Sequence, residues 1–360
     1  MSQSLNLLSI YHNSSISNVK LPTTDKTGIL DAALYDQLTL LETEPFVALN
    51  NLISLLSNKS IQQNIVISDP LFSHKLLNTC HSFPQLYVQV LKISEILSSH
   101  KNSLKLMDNR YFCQVLHYSF NFQNDLFIST CLSCLLSLSS HFSPEFDVPS
   151  FFVPNDLSVV LNFTTDVNHY VLTLKLLSNL YKSNYCKSKL YNIFIKIRER
   201  FFEFQHDTLF IQFLTAFTSF LLQVPTDTSH DLLLLDSEWS LQLIDVLLKH
   251  VGTSNTSKSI MIEFLTLLTL NDGCKYKILE SCFFKETPID RFFLELLSTS
   301  DQMLVLATLS LLSFLLEVKE RRSLFTNVIV FLTKREAYYS LNPCLKSVYQ
   351  RVVDAYKFKY

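Results

Sequence analysis

Cysteine and histidine are the residue types in this 360-residue chain whose spacing could bind a metal or carry redox chemistry. Cys131 and Cys134 form a C-x-x-C pair, which elsewhere is a redox couple or half of a zinc site. The pair lies inside an apolar helical pattern, and the chain has no second C-x-x-C. His74 and His81 flank Cys80, but no further cysteine or acidic residue stands at ligand spacing. We expect structural cysteines and no bound metal.

The serine, histidine and acidic residues offer no catalytic arrangement. A nucleophilic serine needs a strained turn such as G-x-S-x-G and a histidine base held by a carboxylate, and no serine stands in that motif. The acidic pairs, Glu42 with Glu44 and Asp231 with Asp236, are placed like solvated helix caps. With only three glycines, the chain has neither a dinucleotide fingerprint nor a P-loop. We expect a protein that is not an enzyme and binds no cofactor or small-molecule substrate.

Two short basic clusters and the single tryptophan are the candidate partner-binding residues. Arg198 and Arg200 belong to the first cluster, Arg321 and Arg322 belong to the second, and Trp239 stands at a predicted helix start. Glutamates are interspersed in both clusters. A solvated helix face is therefore the simpler interpretation, and docking onto an acidic protein partner is the functional one.

Composition and charge narrow the class of protein further. A net charge of −2 provides no global field that would recruit nucleic acid or an anionic membrane. The eight cysteines are scattered without a disulfide framework, which is typical of reduced thiols in the cytosol or nucleus. Two stretches without charged residues, 126–144 and 208–226, contain too many Ser, Thr and Gln residues for membrane helices. With 48% hydrophobic and only 17% charged residues, we expect a chain that is bound to other proteins.

A short recurring motif organises the chain. Two apolar residues followed by Ser, Thr or Gln occur late in seven apolar segments, and the second apolar residues are Leu56, Leu97, Leu136, Leu177, Leu222, Leu268 and Leu312. Successive spacings are 41, 39, 41, 45, 46 and 44 residues. Armadillo and HEAT repeats have periods of about 40–47 residues. The spacing therefore predicts an all-α, armadillo/HEAT-like α-solenoid superhelix of about seven repeats.

The punctuation between these segments predicts the domain organisation. Residues 1–29 lack periodicity and are predicted to be a flexible N-terminal arm, followed by the repeat solenoid over 30–335. The segment 143–156 contains three prolines and is either an inserted loop or a seam between two halves of the solenoid. Residues 271–273, Asn-Asp-Gly, are predicted to stop a helix. A C-terminal capping helix is predicted within 336–360.

Three blocks of sequence resemble a known family. The matching residues of the first block, 33–72, are Tyr35-Asp36, Thr39-Leu40, Ala48-Leu49-Asn50, Leu55-Leu56-Ser57-Asn58 and Asp69-Pro70. They are similar to the first armadillo block of the AT-rich-interaction-domain subunit of RSC/PBAF-type SWI/SNF chromatin remodellers. The stretch 166–190, with Leu176 to Leu180 in register, and the stretch 303–325 are similar to later blocks of that family in the same order.

The resemblance implies a non-catalytic scaffold subunit in the nucleus, bound to other subunits of a remodelling complex that includes its ATPase assembly. The family's DNA-binding domain precedes the armadillo region, but here only about thirty residues precede the first block. We therefore expect no direct sequence-specific DNA binding. The single Trp239 argues against an importin-type adaptor, which needs a ladder of tryptophans. The alternative is a cytoplasmic armadillo adaptor that binds a signalling or cytoskeletal partner.

Overall fold

The computed structural model describes residues 28–57, 60–155, 157–225, 237–253, 257–281 and 283–357. Within these ranges the chain folds into α-helices joined by turns and short 3-10 segments, and no described residue forms a strand. The predicted all-helical fold is therefore confirmed. The predicted N-terminal arm lies outside the described residues, apart from its last two residues, which begin the first helix.

The helices are named here in chain order. They are α1 (Gly28–Leu40), α2 (Pro45–Ser57), α3 (Ser60–Ile67), α4 (Pro70–Ser82), α5 (Tyr87–Ser98), α6 (Arg110–His117), α7 (Asp125–Ser139), α8 (Leu157–Phe163), α9 (Val167–Lys182), α10 (Lys187–Glu199), α11 (Phe210–Gln223), α12 (Ser237–Thr253), α13 (Lys258–Leu268), α14 (Asp272–Glu280), α15 (Phe283–Glu286), α16 (Ile289–Leu297), α17 (Gln302–Leu315), α18 (Thr326–Lys334), α19 (Glu336–Leu341) and α20 (Pro343–Lys357).

The seven leucines of the repeated motif lie in seven different helices, which are α2, α5, α7, α9, α11, α13 and α17. Each of these helices packs against the next one in the series, and α17 packs against α20. Hydrogen bonds join neighbouring helix ends: the Ser137 hydroxyl donates to the Ser98 carbonyl at 3.0 Å, and the Asn179 amide donates to the Ser139 hydroxyl at 3.0 Å. Because these bonds join C-terminal end to C-terminal end, the helices they link run parallel.

Other helices lie beside this row and carry polar contacts of a similar sequence separation. The Lys75 ammonium in α4 donates to the Leu38 carbonyl in α1, 37 residues earlier. The Asn327 amide in α18 donates to the Asp290 carboxylate in α16, also 37 residues earlier. Among these flanking helices, α4 packs against α6, α12 against α14, and α16 against α18. Most packing therefore joins elements that are close to one motif spacing apart.

One apolar core runs through the described chain, from Leu34 in α1 to Val352 in α20. Its middle is aromatic: the Phe201 ring centroid lies 4.9 Å from that of Phe217 and 5.3 Å from that of Phe213. Aromatic pairs at these distances contribute about 0.5–1.5 kcal/mol each beyond the burial of their surface. The region around α10 and α11 is therefore densely cross-linked by ring contacts.

Asparagine and aspartate side chains begin many of the helices. Those that accept a hydrogen bond from a first-turn backbone N–H are Asp69, Asn109, Asn124, Asp166, Asn271, Asp301 and Asn342. Such caps satisfy donors that the helix itself cannot satisfy. Asn271 begins α14 in this way, and Gly273 lies inside that helix. The preceding helix ends earlier, at Leu268, so the Asn-Asp-Gly segment begins a helix where a stop was predicted.

The proline-rich segment 143–155 forms turns and bends, and its apolar side chains pack onto the core. Phe152 is fully buried, and its ring centroid lies 5.6 Å from that of Phe142. The Asn184 N–H donates to the Phe146 carbonyl at 3.2 Å. Since α7 packs directly against α9, the row of motif helices passes this segment without a break.

Candidate partner-binding site

Trp239 is a core residue with only 9% of its surface exposed. Its ring centroid lies 5.6 Å from those of Phe201 and Phe202 and 6.0 Å from that of Phe217. The Arg198 guanidinium lies 4.6 Å from the centroid of the indole, which is a cation–π geometry. The tryptophan and the arginine therefore bind each other and leave little of the indole for a partner.

Arg200 fastens α10 to α8. Its guanidinium donates to the Leu161 carbonyl at 3.1 Å, to the Thr164 carbonyl at 2.6 Å and to the Tyr170 hydroxyl at 2.6 Å. It also forms an ion pair with Glu203 at 2.6 Å. The acceptor carbonyls lie at and just beyond the C-terminal end of α8, where the helix leaves carbonyls unbonded. Arg200 therefore has an internal capping role.

The second pair of arginines also makes internal contacts. Arg321 forms an ion pair with Glu280 at the end of α14, with an N–O distance of 2.9 Å. The Arg322 Nε donates to the Leu316 carbonyl at 2.7 Å. Arg321 keeps 46% of its side-chain surface exposed, whereas Arg198, Arg200 and Arg322 are only partly exposed.

The cysteine and histidine residues lie apart from any reactive arrangement in the described part of the chain. Burial raises the pKa of Cys134 to about 12 and holds that of Cys131 well above its usual range, so both thiols stay protonated. His74 packs edge-on against Tyr111, and His81 packs edge-on against Tyr118. No three His, Cys, Asp or Glu side chains among the described residues converge as metal ligands.

The two acidic pairs singled out in the sequence do not form a reactive site among the described residues. Glu42 forms an ion pair with Lys75 across 3.1 Å, which ties the turn after α1 to α4. Glu44 is exposed. Asp231 and Asp236 lie outside the described residues.

No described helix is long and apolar enough to span a membrane. The two charge-free stretches lie largely in α7 and α11, which have 15 and 14 residues.

A groove of about 510 Å³ crosses the exposed face of the motif-helix row from α7 to the start of α13. We call it the polar groove. Its lining residues are Leu136, Lys175, Ser178, Asn179, Gln212, Thr215, Ala216, Ser219, Gln223 and Ser257. Among the described residues of this lining, Lys175 is the one charged residue, and the others are mainly hydroxyl and carboxamide side chains. The described lining contains no histidine, cysteine or carboxylate.

Some polar atoms of this lining are hydrogen-bonded within the protein, and others are not. The Thr215 hydroxyl donates to the Ile211 carbonyl in its own helix, and the Asn179 amide donates to Ser139 on the neighbouring helix. The carboxamide oxygen of Gln223 is buried and accepts no hydrogen bond from any described residue. An unmatched buried acceptor costs about 1–3 kcal/mol.

The chemistry of the polar groove suits the main chain of a polypeptide. Carboxamides both donate and accept hydrogen bonds, as do hydroxyls, and a peptide backbone offers one donor and one acceptor at each non-proline residue. Side chains from several parallel helices can therefore bond successive peptide groups of an extended segment. The near absence of charge favours contact with peptide groups over contact with phosphate.

The repeated motif contained a signal for this groove. Ser178 and Gln223, the polar third residues of two motif copies, both line it. The third residues of other copies have different surroundings: Thr269 is buried and donates to the Thr266 carbonyl, and Ser313 is buried and donates to the Ser310 carbonyl. The motif therefore marks the row of helices, and only the middle copies form the groove.

Comparison with known proteins gives the fold alone. No family model matches the chain, and no curated protein matches it. Among solved structures, the chain is similar to the crystal structure of an engineered protein, a Northeast Structural Genomics Consortium target, with a TM-score of 0.58 and 12% sequence identity. The match covers 93% of this chain and 86% of that chain. The likeness therefore extends over nearly the whole chain.

Proposed function

We propose that this chain is a non-catalytic scaffold with an armadillo-like α-solenoid architecture of about seven repeats. In a solenoid each repeat contacts mainly its neighbours. The row of motif helices, each packed on the next, supports this architecture. Long-range hydrogen bonds also support this architecture. They join residues 36 to 44 positions apart, for example Arg200 with Thr164 and His169 with Asp125.

The polar groove is the observation that carries the function. It combines an open surface with hydroxyl and carboxamide side chains from α9 and α11, which can form hydrogen bonds with peptide groups. Such a surface binds an extended segment of a partner protein, and the scaffold holds that partner in place.

The partners in this proposal are other subunits of a nuclear SWI/SNF-class remodelling complex, including its ATPase assembly. The resemblance of the blocks 33–72, 166–190 and 303–325 to the family's armadillo region supports this assignment. ATP hydrolysis is assigned to another chain because this sequence contains no phosphate-binding loop. Nucleosomal DNA is reached through those partners.

Affinity purification from nuclear extract tests the proposal, with the unmodified chain compared with a variant whose polar groove is filled. Ser178→Arg with Ser219→Arg places two long cations in the groove from partly exposed positions. The matched control, Asn192→Arg with Thr208→Arg, adds the same charge at exposed positions on α10 and the loop after it. We expect a Snf-type ATPase and actin-related proteins to be recovered with the unmodified chain and the control, and to be lost from the groove variant.

Two outcomes contradict this proposal. Recovery of a cytoplasmic signalling or cytoskeletal partner in place of the remodeller subunits would establish the alternative adaptor function. Equal recovery of the remodeller subunits with the groove variant and with the control would remove the polar groove from the account. Circular dichroism of both variants confirms that each is folded before the comparison is made.

A further inference from the structure

Formal charge is unevenly distributed along the sequence. Residues 319–360 contain nine Lys and Arg against three Asp and Glu, which gives +6. Residues 1–318 contain 21 Lys and Arg against 29 Asp and Glu, which gives −8. The small net charge of the whole chain therefore conceals a basic C-terminal part attached to an acidic remainder.

Residues 326–357 of this basic part form a helical hairpin, which contains five Lys and Arg against two Asp and Glu and so has a formal charge of +3. Helix α20 packs against α19 and against α17. At one end of the hairpin, the Thr326 and Tyr356 hydroxyls lie 3.5 Å apart. Near the other end, the Tyr339 and Tyr349 rings are stacked with centroids 5.3 Å apart. We call residues 326–357 the C-terminal hairpin.

The cations of the C-terminal hairpin form no ion pair among the described residues. Lys334, Lys346 and Arg351 are exposed and point to solvent on α18 and α20. Arg335 lies over the Phe331 ring, 4.5 Å from its centroid. In the preceding helices, Lys75 and Lys275 are paired with carboxylates, whereas Lys101, Lys182 and Lys189 are exposed and also form no ion pair among the described residues.

The same hairpin also has exposed apolar side chains. Leu341, at the end of α19, keeps 82% of its surface exposed, and Tyr338 one turn earlier keeps 45%. Val330 on α18 keeps 49%. These residues follow or precede Lys334 and Arg335 by only a few positions. The hairpin therefore offers cationic and apolar contacts together.

We propose that the C-terminal hairpin is a second docking surface, which binds an acidic segment of a partner protein whose carboxylates alternate with apolar residues. The unpaired cations would bind the carboxylates, and Tyr338 and Leu341 would bind the apolar side chains. Nucleic acid fits this surface less well, because Leu341 and Val330 offer nothing to a phosphate backbone. The −8 charge of the remainder also repels a long polyanion. The described carboxylates of the hairpin itself are Glu336 at the start of α19 and Asp354 on α20.

Fluorescence anisotropy of the full chain with a labelled synthetic peptide tests this surface. The probe is a peptide of about twenty residues in which Glu and Asp alternate with Leu and Phe, and the comparison peptide has Gln and Asn in place of the acids. We expect the acidic peptide alone to bind, with an affinity that falls as ionic strength rises from about 0.05 M to about 0.5 M. Lys334→Glu with Lys346→Glu and Arg351→Glu should weaken binding by about tenfold or more.

A matched variant makes this test specific. Lys101→Glu with Lys182→Glu and Lys189→Glu makes the same change in net charge at exposed positions outside the hairpin, and should retain binding. Leu341→Ser should weaken binding several-fold without changing its salt dependence. Equal loss in both triple variants, tighter binding of a duplex DNA of equal charge, or no binding of the acidic peptide would overturn the proposal. The Ser178→Arg/Ser219→Arg variant should bind the peptide normally, so failure here and failure of the polar groove are distinguishable.

Discussion

Two regions of this molecule combine basic and aromatic residues, and they use them in opposite ways. Around α10 and α12, Arg198 lies on the indole of Trp239, and Arg200 bonds carbonyls near the end of α8. In the C-terminal hairpin, Lys334 and Lys346 are exposed and form no ion pair among the described residues. A basic and aromatic sequence pattern therefore does not by itself distinguish a core from a surface. A cation becomes part of the core where a helix about one motif spacing away supplies carbonyl groups or aromatic rings that it can contact.

The largest difference between the regions is expected from truncation of their aromatic and apolar residues. Trp239→Ala removes a buried indole from the ring cluster and should lower the free energy of unfolding by about 3–5 kcal/mol. Leu341→Ala, at an exposed position of the hairpin, should change it by less than about 0.5 kcal/mol. Urea unfolding followed by circular dichroism measures both. Similar losses in the two variants would abolish the contrast between an internal and an external cluster.

Replacing a cation should also affect stability more in the core region than in the C-terminal hairpin. Arg200→Met leaves the Leu161 and Thr164 carbonyls and the Tyr170 hydroxyl without their shared donor, and should destabilise the chain by about 2–4 kcal/mol. Lys334→Met should leave the unfolding midpoint unchanged, because Lys334 is exposed. Hydrogen exchange of α8 in the Arg200→Met variant localises the effect. Unchanged protection of α8 would show that the capping contacts do not stabilise that helix.

A smaller difference concerns pH. Burial against the Phe210 ring, helped by Lys249, lowers the pKa of His250 below its usual value of 6.5. The unfolded chain then binds the proton more readily, so the contribution of His250 to stability is present above about pH 6.5 and is lost as pH falls through its folded-state pKa. Residues 319–360 contain no histidine, so the hairpin should not respond in this window.

Unfolding midpoints across this pH range, compared between the unmodified chain and His250→Gln, measure the contribution of His250. The variant should show a shallower loss of stability on acidification, while hydrogen exchange in α20, corrected for its intrinsic pH dependence, should stay the same in both chains. An identical pH dependence in the two chains would show that His250 is not the responsible group.

The motif spacing predicted the helices of the row but did not predict which of their residues are buried. The motif spacing correctly placed seven leucines in seven helices, because apolar periodicity is a local property. The buried residue is not always the second one of the motif: Leu135 and Leu221 are fully buried, whereas Leu136 and Leu222 are only partly buried. Which residue is buried depends on how each helix packs against its neighbours, and the motif spacing does not contain this information.

The site was harder to predict than the fold for a related physical reason. Arg200 meets carbonyls that lie 36 to 39 positions earlier, and the polar groove joins Lys175 to Gln212 and Ser257 across three helices. Contacts of that sequence separation depend on how neighbouring repeats are stacked, and a single repeat does not contain the information. The charge of the C-terminal part was readable from the sequence, but its lack of ion pairs required the packed hairpin.

Site-specific photo-crosslinking in nuclear extract tests the scaffold account most directly. Benzoylphenylalanine is introduced at Gln212, which is exposed in the polar groove, or at Asn192, which is exposed on α10 outside it. The account predicts that the Gln212 probe links to a subunit of a complex containing a Snf-type ATPase, and that the Asn192 probe does not. Equal linkage from both positions, or none from Gln212 while the complex is recovered, would contradict binding in the polar groove.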